Sequence, residues 1–147
     1  MWNLNSQERL AEWKTFRQQL NNHPPEQALE KICSLWSYVP YVDHYLDRVP
    51  PQKWPGPWEL IWNNHYCDLA RALGMLYTWE FTDHAKNYNS ELKIYHDHKN
   101  NQRVNCFCVY PGEYVLNLSY NTVLKKHSFN SAYELIHTYP SSKLIEI

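Results

Sequence analysis

The stretch WELIWNNHYCDLARALG, residues 58–74, decides the fold because it predicts a helix buried on several sides. Its apolar residues cover more than one face of a 3.6-residue repeat. They are Leu60, Ile61, Cys67, Leu69, Ala70 and Leu73. We expect a helix over residues 58–73, with Gly74 as its C-terminal cap. Residues 75–82 are rich in aromatic side chains, and they predict a strand directly after this helix.

Two further helices are predicted on the N-terminal side of this segment. Asn5 and Glu8 have the spacing of a capping box, and apolar residues recur at helical spacing as far as Leu20. Pro25 suits the first turn of a second helix, which ends before residue 40. Residues 39–57 contain five prolines, so they form neither a continuous helix nor a central strand.

Strands dominate the C-terminal half of the prediction. Three segments, 91–98, 103–110 and 113–118, are separated by short turns, and residues 132–139 form a later strand or helix. Helices followed by an antiparallel meander indicate the α+β class. We expect one domain over residues 1–147: a helical part at 1–38, a proline-rich connection at 39–57, and a helix-plus-sheet core at 58–147.

Charge and hydropathy argue against two classes of partner. The net charge is −1 and the longest cationic stretch is Lys125-Lys126-His127, so we expect no nucleic-acid partner. No apolar run is long enough to cross a bilayer, and the first residues lack the features of a signal peptide. We therefore expect no membrane partner, synthesis in the cytoplasm, and four cysteines present as thiols.

Aromatic composition is unusual, with seven Trp and twelve Tyr against four Phe. These large rings with polar tips favour a core of tryptophan and tyrosine whose tips are hydrogen-bonded at its edge. A protein–protein interaction surface is the alternative, since Trp and Tyr are enriched in interfaces.

A metal site is not predicted, although two pairs of potential ligands are each spaced two residues apart. The pairs are His96 with His98, and Cys106 with Cys108. A two-residue turn at 100–101 places His96 opposite Asn105, which puts the two pairs on opposite faces of the hairpin. A tetrahedral zinc site needs converging ligands. We therefore expect no metal and no cofactor.

Cys67 is the candidate nucleophile, because Asp68 and a helical run follow it directly. A reactive thiolate usually lies at a helix start, where the helix dipole lowers its pKa. The predicted helix over residues 58–73 places Cys67 well inside it, and a cysteine there is usually a small buried apolar residue. The sequence thus favours a structural role for Cys67.

The segments from Pro57 onward resemble the core of the transglutaminase-like branch of the papain-like superfamily. The resemblance is carried by Arg71-Ala72-Leu73-Gly74-Met75, by NCFCVY at 105–110 and by GEYVLNLS at 112–119. It implies a nucleophilic Cys at the start of the buried helix. It also implies a His near the start of the second hairpin strand and an Asp at the end of the next strand. Here those positions are expected to hold Trp58, Asn105 and Asn117, which makes a degenerate catalytic triad.

The Trp/Tyr/Asn-rich composition, with WPGPWEL at 54–60, also resembles small proteins of tailed bacteriophages. Together the two resemblances imply a non-catalytic protein-interaction module. Its place would be the tail or baseplate of a virion, in a multi-subunit assembly, and its partner-binding anchors would be Tyr41 and Trp54. The alternative is a cysteine-dependent hydrolase or acyl transferase that uses Cys67 with His96 or His98.

Overall fold

A computed structural model describes residues 1–43, 45–125, 129 and 131–145. The helices are α1 Ser6–Leu20, α2 Pro25–Trp36, α3 Pro57–Asn63, α4 Asp68–Glu80 and α5 Ser141–Leu144. Short 3₁₀ turns occupy Pro51–Lys53 and Asp83–Asn87. The strands are β1 Asn89–Asp97, β2 Gln102–Tyr110, β3 Tyr114–Ser119, β4 Thr122–Lys125 and β5 Tyr133–Pro140. They form one antiparallel sheet in the order β4-β3-β2-β1-β5, so the predicted α+β class is confirmed.

The first two helices begin where their capping residues predict. The side chain of Asn5 accepts a hydrogen bond from the backbone N–H of Glu8 at 2.9 Å, which satisfies one of the free donors at the start of α1. Pro25 is the first residue of α2, where its missing N–H costs nothing.

The predicted helix over residues 58–73 was wrong, because the chain forms two helices there instead of one. Asn64 adopts the left-handed conformation, with φ of 56°, and ends α3. The buried guanidinium of Arg9 donates to the carbonyl oxygens of Ile61 and Trp62 at 2.8 and 3.0 Å. These carbonyls lie in the last turn of α3, where a helix leaves its acceptors unsatisfied. The buried helix α4 therefore begins after Cys67.

The prediction of a helix end at Gly74 and a strand after it was also wrong, because α4 continues to Glu80. Gly74 lies inside α4 against the indole of Trp36. A Cβ atom built on Gly74 would lie 2.2 Å from two carbons of that ring. The glycine is thus required by close packing between α2 and α4 rather than by the conformation of a helix end.

The hairpin of β1 and β2 has the predicted faces but a different register. His96 pairs with Arg103, and Ile94 pairs with Asn105, so the loop between the strands is longer than two residues. The predicted pairing of His96 with Asn105 is wrong by two residues, and a shift of two keeps every side chain on its face. Residues 132–139, predicted as strand or helix, form most of β5, which runs over Tyr133–Pro140.

The main core lies between the helices and one face of the sheet. Side chains of α4 and α2 pack there with Leu92, Ile94, Phe107 and Leu116. On the opposite face a smaller cluster contains Tyr95, Cys106, Cys108 and Val115. In the described part of the chain, no helix has both the length and the apolar character needed to cross a membrane.

Candidate functional site

The N-terminus of α4 is the point where three parts of the fold meet. Cys67 is the N-cap residue of this helix, and Asp68 is its first residue. The preceding residue, Tyr66, forms a parallel bridge with Tyr41 of the proline-rich connection, and its carbonyl oxygen accepts the N–H of Val42 at 2.8 Å. Strands β2 and β3 approach the same helix end from the sheet. The connection, the helix and the sheet thus enclose the first turn of α4.

Two carboxamides hold the side chain of Asp68, and we call these three residues the Asp68 cluster. The amide of Asn105, on β2, donates to Asp68 Oδ2 at 2.9 Å. The amide of Asn117, on β3, lies 3.2 Å from both Asp68 Oδ1 and the Asp68 carbonyl oxygen. The same amide also donates to the carbonyl oxygen of Asn105 at 2.9 Å. Asn117 has φ of 67°, a conformation that asparagine tolerates better than most residues.

Burial dominates the electrostatics of this cluster. The removal of Asp68 from water raises the pKa of its carboxyl group above the ordinary value. The hydrogen bond from Asn105, the charge of Arg71 and the hydrogen bond from Asn117 each oppose this shift. An aspartate at the first position of a helix is also favoured by the helix dipole. The cluster binds and orients a carboxyl group, but neither carboxamide can take up a proton.

Cys67, the residue directly before Asp68, is buried, with only 1% of its surface exposed. The other three cysteines, Cys33, Cys106 and Cys108, are buried as well, and all four are free thiols as predicted. Burial raises the pKa of Cys108 to about 11, and it raises the pKa of Cys106 further. The prediction that Cys67 lies inside a helix is corrected here, because Cys67 occupies the position before the first turn of α4.

A cleft opens above the Asp68 cluster, and we call it the α4 cleft. It consists of two cavities of about 290 and 570 Å³ that share Asp47, Arg103 and Asn105 in their walls. The larger cavity exposes Asp68 and Asn117 beside Tyr41. The smaller one lies between Trp54 and the sheet, and its lining includes His137. The volumes are in the range of sites for small ligands or peptide side chains.

The histidines predicted as alternative bases lie outside the α4 cleft. His96 pairs with Arg103, which is two residues, or about 7 Å along the strand, from Asn105. Its ring contacts that of His98, with centroids 4.5 Å apart, and His98 Nε2 is hydrogen-bonded to Glu134 Oε1 at 2.9 Å. Neither histidine lines the two cavities of the cleft.

His137 is the histidine that sequence reasoning missed. It lies on β5 opposite Ile94, which in turn pairs with Asn105 on β2, and it lines the smaller cavity. A firm prediction of β5 as the neighbour of β1 would have found it. Asp68 was missed as the centre of the site because the predicted helix began ten residues too early.

The three predicted triad positions do not meet in one place. Asn105 and Asn117 come together at Asp68, as expected from the hairpin. Trp58 does not join them, because it lies on α3, is 52% exposed and stacks on Phe81 with ring centroids 5.3 Å apart. The assignment of the helix start to Trp58 was wrong, because α4 begins ten residues later.

The two predicted partner-binding residues differ in their surroundings. Tyr41 is 50% exposed at the edge of the larger cavity, and the guanidinium of Arg71 lies 5.7 Å from the centre of its ring. Trp54 is only partly exposed: its indole N–H donates to the carbonyl oxygen of Val49 at 2.9 Å and its ring packs on Tyr139. Tyr41 is therefore available to a partner, whereas Trp54 is largely a packing residue.

Comparison with known proteins finds similarity in structure and none in sequence. No family model and no curated protein sequence matches the chain. Among solved structures, calcium-bound LapG of Legionella pneumophila is similar with a TM-score of 0.75 and 16% identity, over 93% of this chain and 77% of that one. A second structure of Legionella pneumophila LapG is similar with a TM-score of 0.74 and 17% identity, over 91% of this chain and 74% of that one. EGTA-treated LapG of the same organism is similar with a TM-score of 0.73 and 17% identity, over 91% of this chain and 73% of that one.

The calcium in one of those structures raises the question of whether this site fits such an ion. Calcium takes six to eight oxygen ligands. Among the described residues that line the larger cavity, the carboxylates are those of Asp47 and Asp68, and the oxygens of Asp68 already accept carboxamide N–H groups. Among the described residues, no group of three or more His, Cys, Asp or Glu side chains is placed to hold a metal ion. The Asp68 cluster does not fit calcium.

The fold, in contrast, agrees over nearly the whole chain. A helix α4 packed on an antiparallel sheet, with a cysteine before its first turn, is the arrangement that the sequence resemblance implied. The aligned part covers 93% and 91% of this chain, so the agreement extends to N-terminal helices that the resemblance left unexplained. The chain therefore has the transglutaminase-like, papain-like fold seen in LapG.

Proposed function

We propose that this chain is a non-catalytic protein-interaction module built on the transglutaminase-like fold. The observation that carries the proposal is the Asp68 cluster itself. A carboxylate hydrogen-bonded to two carboxamides follows the buried Cys67 directly in the chain, at the helix start where the resembled family places its nucleophile.

Chemistry at Cys67 would require a base that can accept the thiol proton. The carboxamides of Asn105 and Asn117 cannot do so. The carboxylate of Asp68 is engaged by both of them, which leaves it poorly placed to turn toward a neighbouring sulfur. A substrate would also need to reach a residue that is 1% exposed. These features support a site that has the geometry of the fold but lacks a base for catalysis at Cys67.

Binding is the function left to the α4 cleft. Its two connected cavities suit an extended polypeptide segment, and Tyr41 offers an exposed ring at the edge. Tyrosine beside arginine is typical of energetically important interface positions. A place in the tail or baseplate of a phage particle is the more specific hypothesis, and it rests on amino-acid composition alone.

A cysteine-dependent hydrolase is the second candidate, and one observation favours it. Cys67 lies at the N-terminus of a 13-residue helix, where the dipole stabilises a thiolate. The imidazole of His137 lines the smaller cavity of the α4 cleft and is the candidate base in this reading. This candidate requires the Asp68 cluster to open so that substrate and base can reach the sulfur.

Thiol labelling separates the two candidates. The native protein is treated with iodoacetamide at pH 6, and the rate of modification of each cysteine is measured by peptide mass spectrometry. The proposal predicts that Cys67 is modified as slowly as the buried controls Cys106 and Cys108, and that all of them react after unfolding in urea once the pH is raised to 8, where an ordinary thiol is partly ionised. Selective modification of Cys67 in the folded protein would instead contradict the proposal and favour the hydrolase candidate.

A matched pair of tyrosine variants tests the binding part of the proposal. Tyr41→Ala removes the ring beside the α4 cleft, whereas Tyr38→Ala removes a 65% exposed ring that lines neither of its cavities. Once a partner is known, Tyr41→Ala should weaken its binding at least tenfold while Tyr38→Ala leaves it unchanged. Equal affinities for both variants would place the binding surface elsewhere.

A further inference from the structure

A second groove lies on the other side of the helical layer, between α1, α3 and the end of α4. We call it the Arg17 groove. It has a volume of about 630 Å³, and its walls include Lys14, Arg17 and Gln18 of α1 together with the rings of Trp58 and Phe81. Thirteen residues of α4 separate Cys67 from Phe81, which corresponds to about 20 Å along the helix axis. The groove is therefore distinct from the α4 cleft.

Arg17 has an unusual environment within this groove. Its guanidinium carbon lies 4.3 Å from the ring centre of Trp13 and 5.3 Å from those of Trp58 and Phe81. Its Nε atom is buried and has no hydrogen-bond partner in the described part of the chain. Burial lowers the pKa of Arg17. A planar cation is thus fixed between aromatic rings with donor capacity left unused.

The physical cost of this arrangement points to a missing anion. Cation–π contacts offset part of the lost hydration of a guanidinium, but they leave its N–H donors unsatisfied. Carboxylates satisfy two such donors at once because the two groups have matching geometry. The rings also hold the Arg17 side chain in one position, which reduces the entropy lost when a ligand binds.

Charge and apolar surface around Arg17 narrow the class of ligand. Lys14 adds a second cation, and the described residues in the groove wall include no carboxylate. Trp58 is 52% exposed although its ring stacks on Phe81, so it offers a large apolar surface next to the cations. An occupant that matches both features carries a carboxylate beside an apolar group.

We propose that the Arg17 groove binds a segment of a partner protein in which an acidic residue is next to a large apolar residue. The carboxylate pairs with Arg17 and Lys14, and the apolar side chain lies on Trp58. This site would be the second interaction surface of the chain, independent of the α4 cleft and of whether Cys67 is reactive.

The test compares two blocked dipeptides that differ only in charge. Acetyl-Phe-Asp-amide and acetyl-Phe-Asn-amide are titrated into the ¹⁵N-labelled protein, and the indole N–H resonance of Trp58 is followed. We expect a saturable shift with the aspartate peptide and at least about tenfold weaker binding of the asparagine peptide, because hydrogen bonds to charged groups are the stronger ones. Equal binding of the two peptides, or no saturable shift up to 10 mM, would overturn the proposal.

Two further experiments locate the binding site and test whether the carboxylate belongs to a protein segment or to a free small acid. Arg17→Gln should abolish the difference between the two peptides, and the exposed Lys14→Gln, which keeps the aromatic packing intact, should reduce it several-fold. Arg48→Gln, a change at a wall of the α4 cleft, is the matched control and should leave both affinities unchanged. If 3-phenylpropionate binds and the aspartate peptide does not, the groove takes a free small acid and the partner-protein proposal is wrong.

Discussion

Gly74→Ala tests the packing that positions α4, and its cost can be worked out from the structure. The added Cβ would lie 2.2 Å from Cη2 and Cζ3 of Trp36 and 2.6 Å from Cζ2, whereas carbon atoms in contact are about 3.5 Å or more apart. The indole or the helix must therefore move by about 1 Å. Trp36 is fully buried and its N–H donates to Thr78 Oγ1 at 2.9 Å, so the ring has little freedom to move.

The expected loss of stability combines opposing terms. Overpacking in a core costs about 1–3 kcal/mol, and weakening of the Trp36 hydrogen bond adds about 1 kcal/mol. Alanine regains somewhat less than about 1 kcal/mol through its higher helix propensity. We expect a net loss of about 1–3 kcal/mol in the free energy of unfolding. In a chain of this size that corresponds to a melting temperature lower by roughly 2–12 °C.

A double-mutant cycle distinguishes this explanation from a glycine that is needed at a helix end. Trp36→Phe removes the three ring carbons that the new Cβ would meet. Gly74→Ala should therefore cost at least 1 kcal/mol less in the Trp36→Phe background, as measured by urea unfolding. If Gly74→Ala is neutral, or costs the same in both backgrounds, α4 does not pass Trp36 as described and the account of the buried helix is wrong.

Two further predictions concern the Asp68 cluster. Asn117→Asp brings a second carboxylate about 3 Å from Asp68 Oδ1, so it should cost about 2–3 kcal/mol at pH 7. The repulsion raises the folded-state pKa of the pair of carboxyl groups, so this loss of stability should shrink as pH falls from 7 to 4. Asn117→Gly, which adds no charge, is the control. A loss of the same size at both pH values would contradict the described contact between Asn117 and Asp68. Calcium at 5 mM should leave the melting temperature within about 1 °C of its value in EGTA, because the described residues of the larger cavity supply two carboxylates, those of Asp47 and Asp68, against the six to eight oxygens that calcium takes; a shift of several degrees would show a cation site.

Local signals in the sequence were sufficient for much of the fold. Asn5 and Pro25 mark the starts of α1 and α2, and the alternation in residues 91–118 predicts three strands with the correct faces. These features depend on neighbours within a few residues, so they can be predicted from the local sequence and its spacing. The same alternation placed Asn105 on the helix-facing side of the sheet, which is where it meets Asp68.

The features that sequence reasoning missed depend on residues far apart in the chain. The break between α3 and α4 is stabilised by Arg9, whose guanidinium donates hydrogen bonds to carbonyl oxygens more than fifty residues away in the chain. The residues around Gly74 fit a glycine at a helix end and a glycine packed against an indole equally well. Only the position of Trp36 in the fold shows that Gly74 has the second role. Because the break was missed, Cys67 was placed inside a helix and Asp68 was not recognised as the residue that joins Asn105 and Asn117.

The central claim is that a carboxylate held by two carboxamides occupies the place where chemistry would occur. A pH titration followed by NMR tests it directly, using the side-chain amide resonances of Asn105 and Asn117. We predict that both amides shift together with one midpoint above the ordinary aspartate value of about 3.9, since burial raises the pKa of Asp68, and that Asp68→Ala abolishes this shift. Amides that do not respond to pH, or that titrate identically in Asp68→Ala, would contradict the account.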